Sequence, residues 1–176
     1  LERNYASCDV TANNRSSNTY GAGGLVGSLE FKNSSAYGSI HVKDCYVAGS
    51  VYCNVSASPM AGGLVGGSYL PNSADESFAI VIENCYAAGK VTINSENTNG
   101  GAGGITGTPN LGTGTSEHNA VIKNCAAVNG EITNGQKNTG DIYGRVSGAE
   151  KSNSFQGNIA WEGMEVNGAV VTGGSA

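Results

Sequence analysis

Cys8, Cys45, Cys85 and Cys125 follow one another at intervals of 37, 40 and 40 residues, while Cys53 stands outside the series. Near-equal spacing at that length reads as one column of equivalent positions in stacked copies. Three chemistries are open to such a column. Free thiols are among the most buried side chains and pack as small apolar groups. Strands about 4.8 Å apart lie within the Cα separation that a disulfide spans. A metal site would need paired Cys or a nearby His, and no such spacing is present. An in-register parallel stack points neighbouring Cβ atoms the same way, which favours reduced, inward thiols. Cys53 aligns with Ile93 of the next copy and reads as core. Asp44, Asn84 and Asn124 immediately precede three of these cysteines. They form either a line of oxygens for Ca²⁺ or a corner where short polar side chains tolerate a bend. One carboxylate among amides is a poor Ca²⁺ set, so the corner is the better reading.

The other reactive groups are sparse. His41 and His118 lie in different copies without a patterned Cys or Ser partner, and His41 aligns with Val81 and Val121. The glycine runs lack the Lys-Ser/Thr of a phosphate loop. Asp75 and Glu76 are adjacent, so an extended chain points them apart. Paired carboxylates for glycoside chemistry cannot be assembled from equivalent positions. Trp161 is the single Trp; it could stack on a sugar, but near a repeat end it is expected to cap the core with Met164 and Val166.

What must hold these residues in place is visible in the composition. Of 176 residues, 28 are Gly, 20 Asn and 19 Ser, with 13% charged and 3 Pro. This is a turn-rich chain rather than a helical or a charged disordered one. The net charge of −5, with 9 Lys and Arg, leaves no broad basic face, so no nucleic-acid partner is expected. No apolar run approaches the roughly 20 residues of a membrane-spanning helix. The chain opens at Leu1 and reads as one domain cut from a larger protein.

The elements repeat. Gly23-Gly24-Leu25-Val26-Gly27 recurs as Gly62-Gly63-Leu64-Val65-Gly66 and Gly103-Gly104-Ile105-Thr106-Gly107, with a degenerate fourth copy, Gly144-Arg145-Val146-Ser147-Gly148. A second unit keeps step: Asp44-Cys45-Tyr46-Val47-Ala48-Gly49, Asn84-Cys85-Tyr86-Ala87-Ala88-Gly89, a looser Asn124-Cys125-Ala126-Ala127-Val128, and Ser7-Cys8-Asp9-Val10 as a truncated copy. A third unit comprises Val51-Tyr52-Cys53, Val91-Thr92-Ile93 and Glu131-Ile132-Thr133. Segments this short and Val/Ile-rich cannot bury a face alone; stacking copy on copy gives a continuous core. The expected fold is all-β: a right-handed parallel β-helix with three short strands per rung of about 40 residues and about four rungs with protruding loops. The repeats fall at 1–38, 39–78, 79–119, 120–157 and a partial or capping 158–176. Leu25, Leu64, Ile105 and Val146 form one expected inward column, and Val42, Ile82 and Ile122 another.

Gly-Gly-Leu-Val-Gly alternating with Asn-Cys-Tyr-x-Ala-Gly-x-Val resembles the GLUG repeat, from about Ser7 to Gly168. Such repeats occur in adhesin-like surface proteins of gut Bacteroidetes and in the non-catalytic region of immunoglobulin A peptidases. The resemblance implies a scaffold without catalytic residues or cofactor, at the bacterial surface or outside the cell.

The loops that follow the Gly-Gly-Leu-Val-Gly unit, Ser28–Gly38, Gly67–Phe78 and Thr108–Asn119, should emerge from one side of the stack and carry Phe31, Tyr37, Tyr69, Leu70, Phe78 and His118. Insertions on one side of a repeat array often form its binding face, although these aromatics flank strands, and loops folding back over the sheet edges to bury them is the better reading. The expected function is a non-enzymatic adhesion or display module, partnered by a glycan or host protein and by other domains of its polypeptide. The alternatives are a fragment of a carbohydrate-active β-helix enzyme and a purely structural stalk.

Overall fold

The computed structural model describes residues 1–14, 21–30, 38–69, 78–95, 100–108, 120–134, 142–148 and 154–171. Among the described residues the fold is all-β apart from one helical turn, Ile142–Arg145. The described strands form five sheets, and within each sheet strands from successive copies lie side by side. Sheet A stacks Gly38–Lys43, Phe78–Glu83, Ala120–Lys123 and Ser154–Gln156. Sheet B stacks Tyr5–Ala6, Tyr46–Val47, Tyr86–Ala87, Ala126–Ala127 and Ile159–Ala160. Sheet C stacks Val10–Asn14, Val51–Val55, Val91–Ile93, Glu131–Asn134 and Glu165–Val166. Sheet D holds Gly21–Gly23, Met60–Gly62 and Gly101–Gly103, and sheet E holds Val26–Glu30, Val65–Tyr69 and Thr106–Thr108. All pairings between copies are parallel.

A full copy therefore contributes five strands where the sequence pattern suggested three. Two bends account for the difference. The chain bends between sheets A and B at Asp44, Asn84 and Asn124, the expected corner, whose φ values are 52°, 53° and 51°. Asp and Asn tolerate this left-handed region better than other side-chain-bearing residues. The Gly-Gly-Leu-Val-Gly run is likewise a corner: its first Gly ends a sheet D strand, Gly63-Leu64 bends, and Val65 opens sheet E. The bend residues still pair across copies, with Leu25 N donating to Leu64 O, Leu64 N to Ile105 O and Ile105 N to Val146 O, each at 3.0 Å.

The core runs up the middle of the stack. Leu64, Ile105 and Val146 are fully buried and Leu25 in the first copy partly so; Val42, Ile82 and Ile122 form a second buried column. In sheet C, Val51, Val91, Ile132 and Val166 align, and Cys53 pairs with Ile93 and then Asn134. The fourth copy is thus one residue later than its sequence match, because Asn129-Gly130 adds a residue before the strand. Asn134 takes the buried place of Cys53 and Ile93, and its Oδ1 accepts from Ala102 N at 2.6 Å.

The later copies end the stack by several devices. The helical turn Ile142–Arg145 replaces a fourth sheet D strand, followed by a single bridge between Thr106 and Ser147. In sheet C, Glu165–Val166 folds back antiparallel on Ala169–Val170 through Asn167-Gly168, both at positive φ (50° and 78°), the geometry of a tight hairpin turn. Met164 and Val166 are buried there, but Trp161 does not join them and remains 50% exposed.

Candidate functional site

Sheet B has only two residues per strand, and alternation gives them opposite fates. Val47, Ala87 and Ala127 are completely buried. Their neighbours form an outward column, Tyr5, Tyr46, Tyr86, Ala126 and Ile159, paired rung by rung. The phenol rings stack: Tyr5 on Tyr46 with centroids 4.9 Å apart and planes at 18°, and Tyr46 on Tyr86 at 4.7 Å and 34°. One ring per rung at the strand spacing is what a parallel ladder of aromatics must give. Desolvation, then the neighbouring phenols Tyr86 and Tyr5, hold the Tyr46 hydroxyl above its ordinary pKa. Tyr5 is 61% exposed and Ile159 63%. Two residues further on, Ala48, Ala88, Val128 and Trp161 occupy equivalent places, each N–H donating to the rung before. The outer face of sheet B is therefore apolar and aromatic along the whole stack.

An amide row borders this face at the corner before it. Asn84 Nδ2 donates to Asp44 Oδ1 at 3.0 Å, and Asn124 Nδ2 to Asn84 Oδ1 at 3.5 Å. These oxygens serve the ladder; among the described residues no group of three or more His, Cys, Asp or Glu is arranged to hold a metal ion. On sheet A, just ahead of the row, Lys43, Glu83 and Lys123 alternate in charge, with Lys123 Nζ 2.7 Å from Glu83 Oε2. That hydrogen bond holds the Glu83 carboxyl below its usual range. Beyond the face, Lys90 Nζ bonds Glu131 Oε2 at 2.8 Å.

The thiols lie behind the amide row, inside. Cys45, Cys85 and Cys125 are free and buried. Each Sγ donates to a carbonyl two residues back in its own copy: Lys43 O at 3.1 Å, Glu83 O at 3.1 Å and Lys123 O at 3.3 Å. The bond with Cys125, then burial, pushes the Cys85 thiol well up. Cys8 does not belong to this column. It is exposed, and because Tyr5 pairs with Tyr46 and Val10 with Val51, it stands in the register of Gly49. The cysteine place in the first copy belongs to Asn4, whose Nδ2 bonds Glu2 O at 2.9 Å, and in the last to Asn158. The four-residue likeness of Ser7-Cys8-Asp9-Val10 to the other copies was weaker than the backbone register. Arg3, at φ 54°, takes the corner position.

Of the loop residues expected to bind, Phe31, Tyr37, Leu70 and His118 lie outside the described residues. Tyr69 ends a sheet E strand and Phe78 opens a sheet A strand. His41 lies on sheet A beside Val81, and its Nε2 is 2.7 Å from Ser39 Oγ on an exposed edge. That contact alone is no nucleophile–base pair, since no carboxylate is bonded to the other ring nitrogen among the described residues. The tyrosine column was readable in the sequence as Cys-Tyr at 45–46 and 85–86; Tyr5 lacks that cysteine, and its membership emerges only from strand pairing.

No protein-family model matches this chain, and no curated protein matches it. A solved structure, named as a putative immunoglobulin A1 protease from Bacteroides ovatus, resembles it with a TM-score of 0.54 at 18% identity, over 99% of this chain and 62% of that one. The likeness is one of fold. The chain spans less than two thirds of that protein's length.

Proposed function

We propose that this chain is a non-enzymatic module of a secreted or cell-surface bacterial protein, built as one right-handed parallel β-solenoid that displays a binding face to a glycan or host protein. The observation that carries the reading is the outward column Tyr5–Tyr46–Tyr86, continued by exposed Ile159 and flanked by half-exposed Trp161. Contiguous exposed apolar surface on a folded domain is expensive to keep unless something binds it. Aromatic groups on rigid paired strands are ready for a partner without further ordering. The GLUG-like motifs and the fold likeness to a protein named for immunoglobulin A1 cleavage fit one assignment, in which this chain belongs to the non-catalytic region of such a protein. A stalk role is the second reading, favoured by the rung-on-rung stacking itself, which sets a fixed spacing between whatever lies at either end.

The test is binding of the purified chain to immobilised glycans and purified host glycoproteins, immunoglobulin A1 included. The wild type is compared with a Tyr46→Ala/Tyr86→Ala double variant of unchanged circular dichroism. Binding that the double variant loses supports the adhesin reading. Binding that it retains moves the interface elsewhere, and no binding by either chain leaves the stalk.

A further inference from the structure

The tyrosine column is interrupted at one rung. Tyr86 pairs with Ala126, and Ala126 pairs with Ile159. Each earlier rung fills its share of the column with one ring, and the fourth supplies only a methyl group. Two strand spacings, about 9.6 Å, separate the Tyr86 and Ile159 backbones. By register the column therefore has a slot one ring thick over Ala126, between Tyr86 and the exposed Ile159.

We infer that this slot is a subsite for one neutral pyranose ring. This rests on the adhesin reading above and narrows it to a ligand class. A pyranose has an apolar C–H face that packs on an aromatic ring and a rim of hydroxyls that must be hydrogen-bonded. The amide row lies beside the slot: Asn84 and Asn124 are exposed, and each Nδ2 carries two protons, of which the ladder uses one. An aromatic side chain from a protein partner would fill the slot but leave those amides without a role. The charge pattern selects a neutral sugar over an acidic one. The flanking cations Lys90 and Lys123 are held by Glu131 and Glu83, and the row itself carries the Asp44 carboxylate. A uronate or sialate over Ala126 would find the cation of its own rung, Lys123, already neutralised by Glu83; Lys43, not ion-paired among the described residues, lies two rungs away and next to the Asp44 carboxylate.

The experiment is saturation-transfer NMR on the intact chain with lactose, cellobiose, maltose and chitobiose as neutral probes and sialyllactose as the acidic one. Expected is transfer to the ring C–H protons of at least one neutral probe, weaker for the acidic one. Ala126→Tyr would fill the slot by continuing the ladder, keep the circular dichroism and melting temperature, and weaken binding about tenfold. Tyr86→Ala, which removes the platform instead, should do the same and serves if the first variant folds poorly. Saccharide or host-protein binding that survives Ala126→Tyr but is lost with Tyr46→Ala overturns the slot and keeps the face. No transfer to any neutral probe also overturns the slot, and the adhesin reading then stands or falls on the glycoprotein panel.

Discussion

The amide of Gly104 donates to the carbonyl of Arg145 at 2.9 Å, and a Cβ on Gly104 would overlap that same oxygen. The relationship recurs down the stack: a Cβ on Gly63 would overlap Gly104 O, and one on Gly24 would meet Gly63 O at 2.5 Å. Each corner glycine is required by the copy that follows it. Arg145 occupies the same position in the fourth copy, and among the described residues no further corner lies above it. A side chain is therefore tolerated there, and it is buried at 3% exposure.

Gly63→Ala should consequently destabilise the chain by about 3 kcal/mol or more, since the obstructing atoms are backbone and cannot rotate away. Gly130→Ala, where nothing lies within 4 Å of the added methyl, should leave the denaturation midpoint unchanged or slightly raised. Urea melts of the two variants make the comparison. Equal effects would mean that the corners do not stack as described.

Burial along the leucine column is graded, and stability should follow it. Leu64 is fully buried, whereas Leu25 in the first copy is only partly so. Leu64→Ala should cost about 2–5 kcal/mol and Leu25→Ala clearly less. Leu64→Asp should prevent folding, because an unpaired buried charge has no compensation there. A soluble Leu64→Asp variant with an unchanged melting temperature would show that this column faces solvent.

Thiol reactivity should divide one against four. In denaturant without reductant all five cysteines should react; in the native chain Cys8 should react quickly and the four buried ones slowly. Burial raises the Cys53 pKa, whereas the contact between Cys85 and Cys125 raises one thiol and lowers the other, so Cys53 sets the sign. The unfolded chain then releases thiol protons first as pH rises. Stability from these groups is intact below the ordinary thiol pKa of about 8.5 and falls above it. Melting temperature should drop between about pH 7.5 and pH 9.5, and Cys53→Ala should flatten that slope. A disulfide crossing the rungs would appear as fewer than five thiols in denaturant, restored by reductant.

Asn158 closes the cysteine column. Its Oδ1 accepts from Cys125 N at 2.9 Å and its Nδ2 donates to Ile122 O at 2.7 Å, the place where Cys125 Sγ reaches Ile82 O one copy earlier. Asn158→Ala leaves the Cys125 amide without a partner and removes a second donor from Ile122 O, and should cost about 1–3 kcal/mol. Asn158→Cys should recover part of the loss by restoring the donor to Ile122 O. Hydrogen exchange at the Cys125 amide reports the break directly; unchanged protection in Asn158→Ala would mean that the cap is dispensable.

The all-β class, the 40-residue period and most of the core were legible in the sequence because a parallel stack repeats its environment, so Leu64 and Ile105, or Ile82 and Ile122, face the same neighbours. Asp44, Asn84 and Asn124 were legible as a corner for a local reason: few side chains tolerate a positive φ. What depended on pairing between copies was not legible. Gly-Gly-Leu-Val-Gly has the composition of a strand, yet it bends, because stacked backbones at Gly24, Gly63 and Gly104 approach too closely for a Cβ. Cys8 matched the motif by eye, but register is decided by the whole set of ladder hydrogen bonds, and these put Asn4 in the cysteine place and Tyr5 under Tyr46. The one-residue shift of Ile132 against Val91 has the same origin, an added residue at Asn129-Gly130 absorbed in a bend. The candidate face shows the division most clearly. The sequence by itself determined that Tyr46 and Tyr86 recur in phase; only the tertiary structure decided that Tyr5 joins them, that Ala126 interrupts them and that the column points outward, because side-chain direction follows from strand pairing and not from the motif.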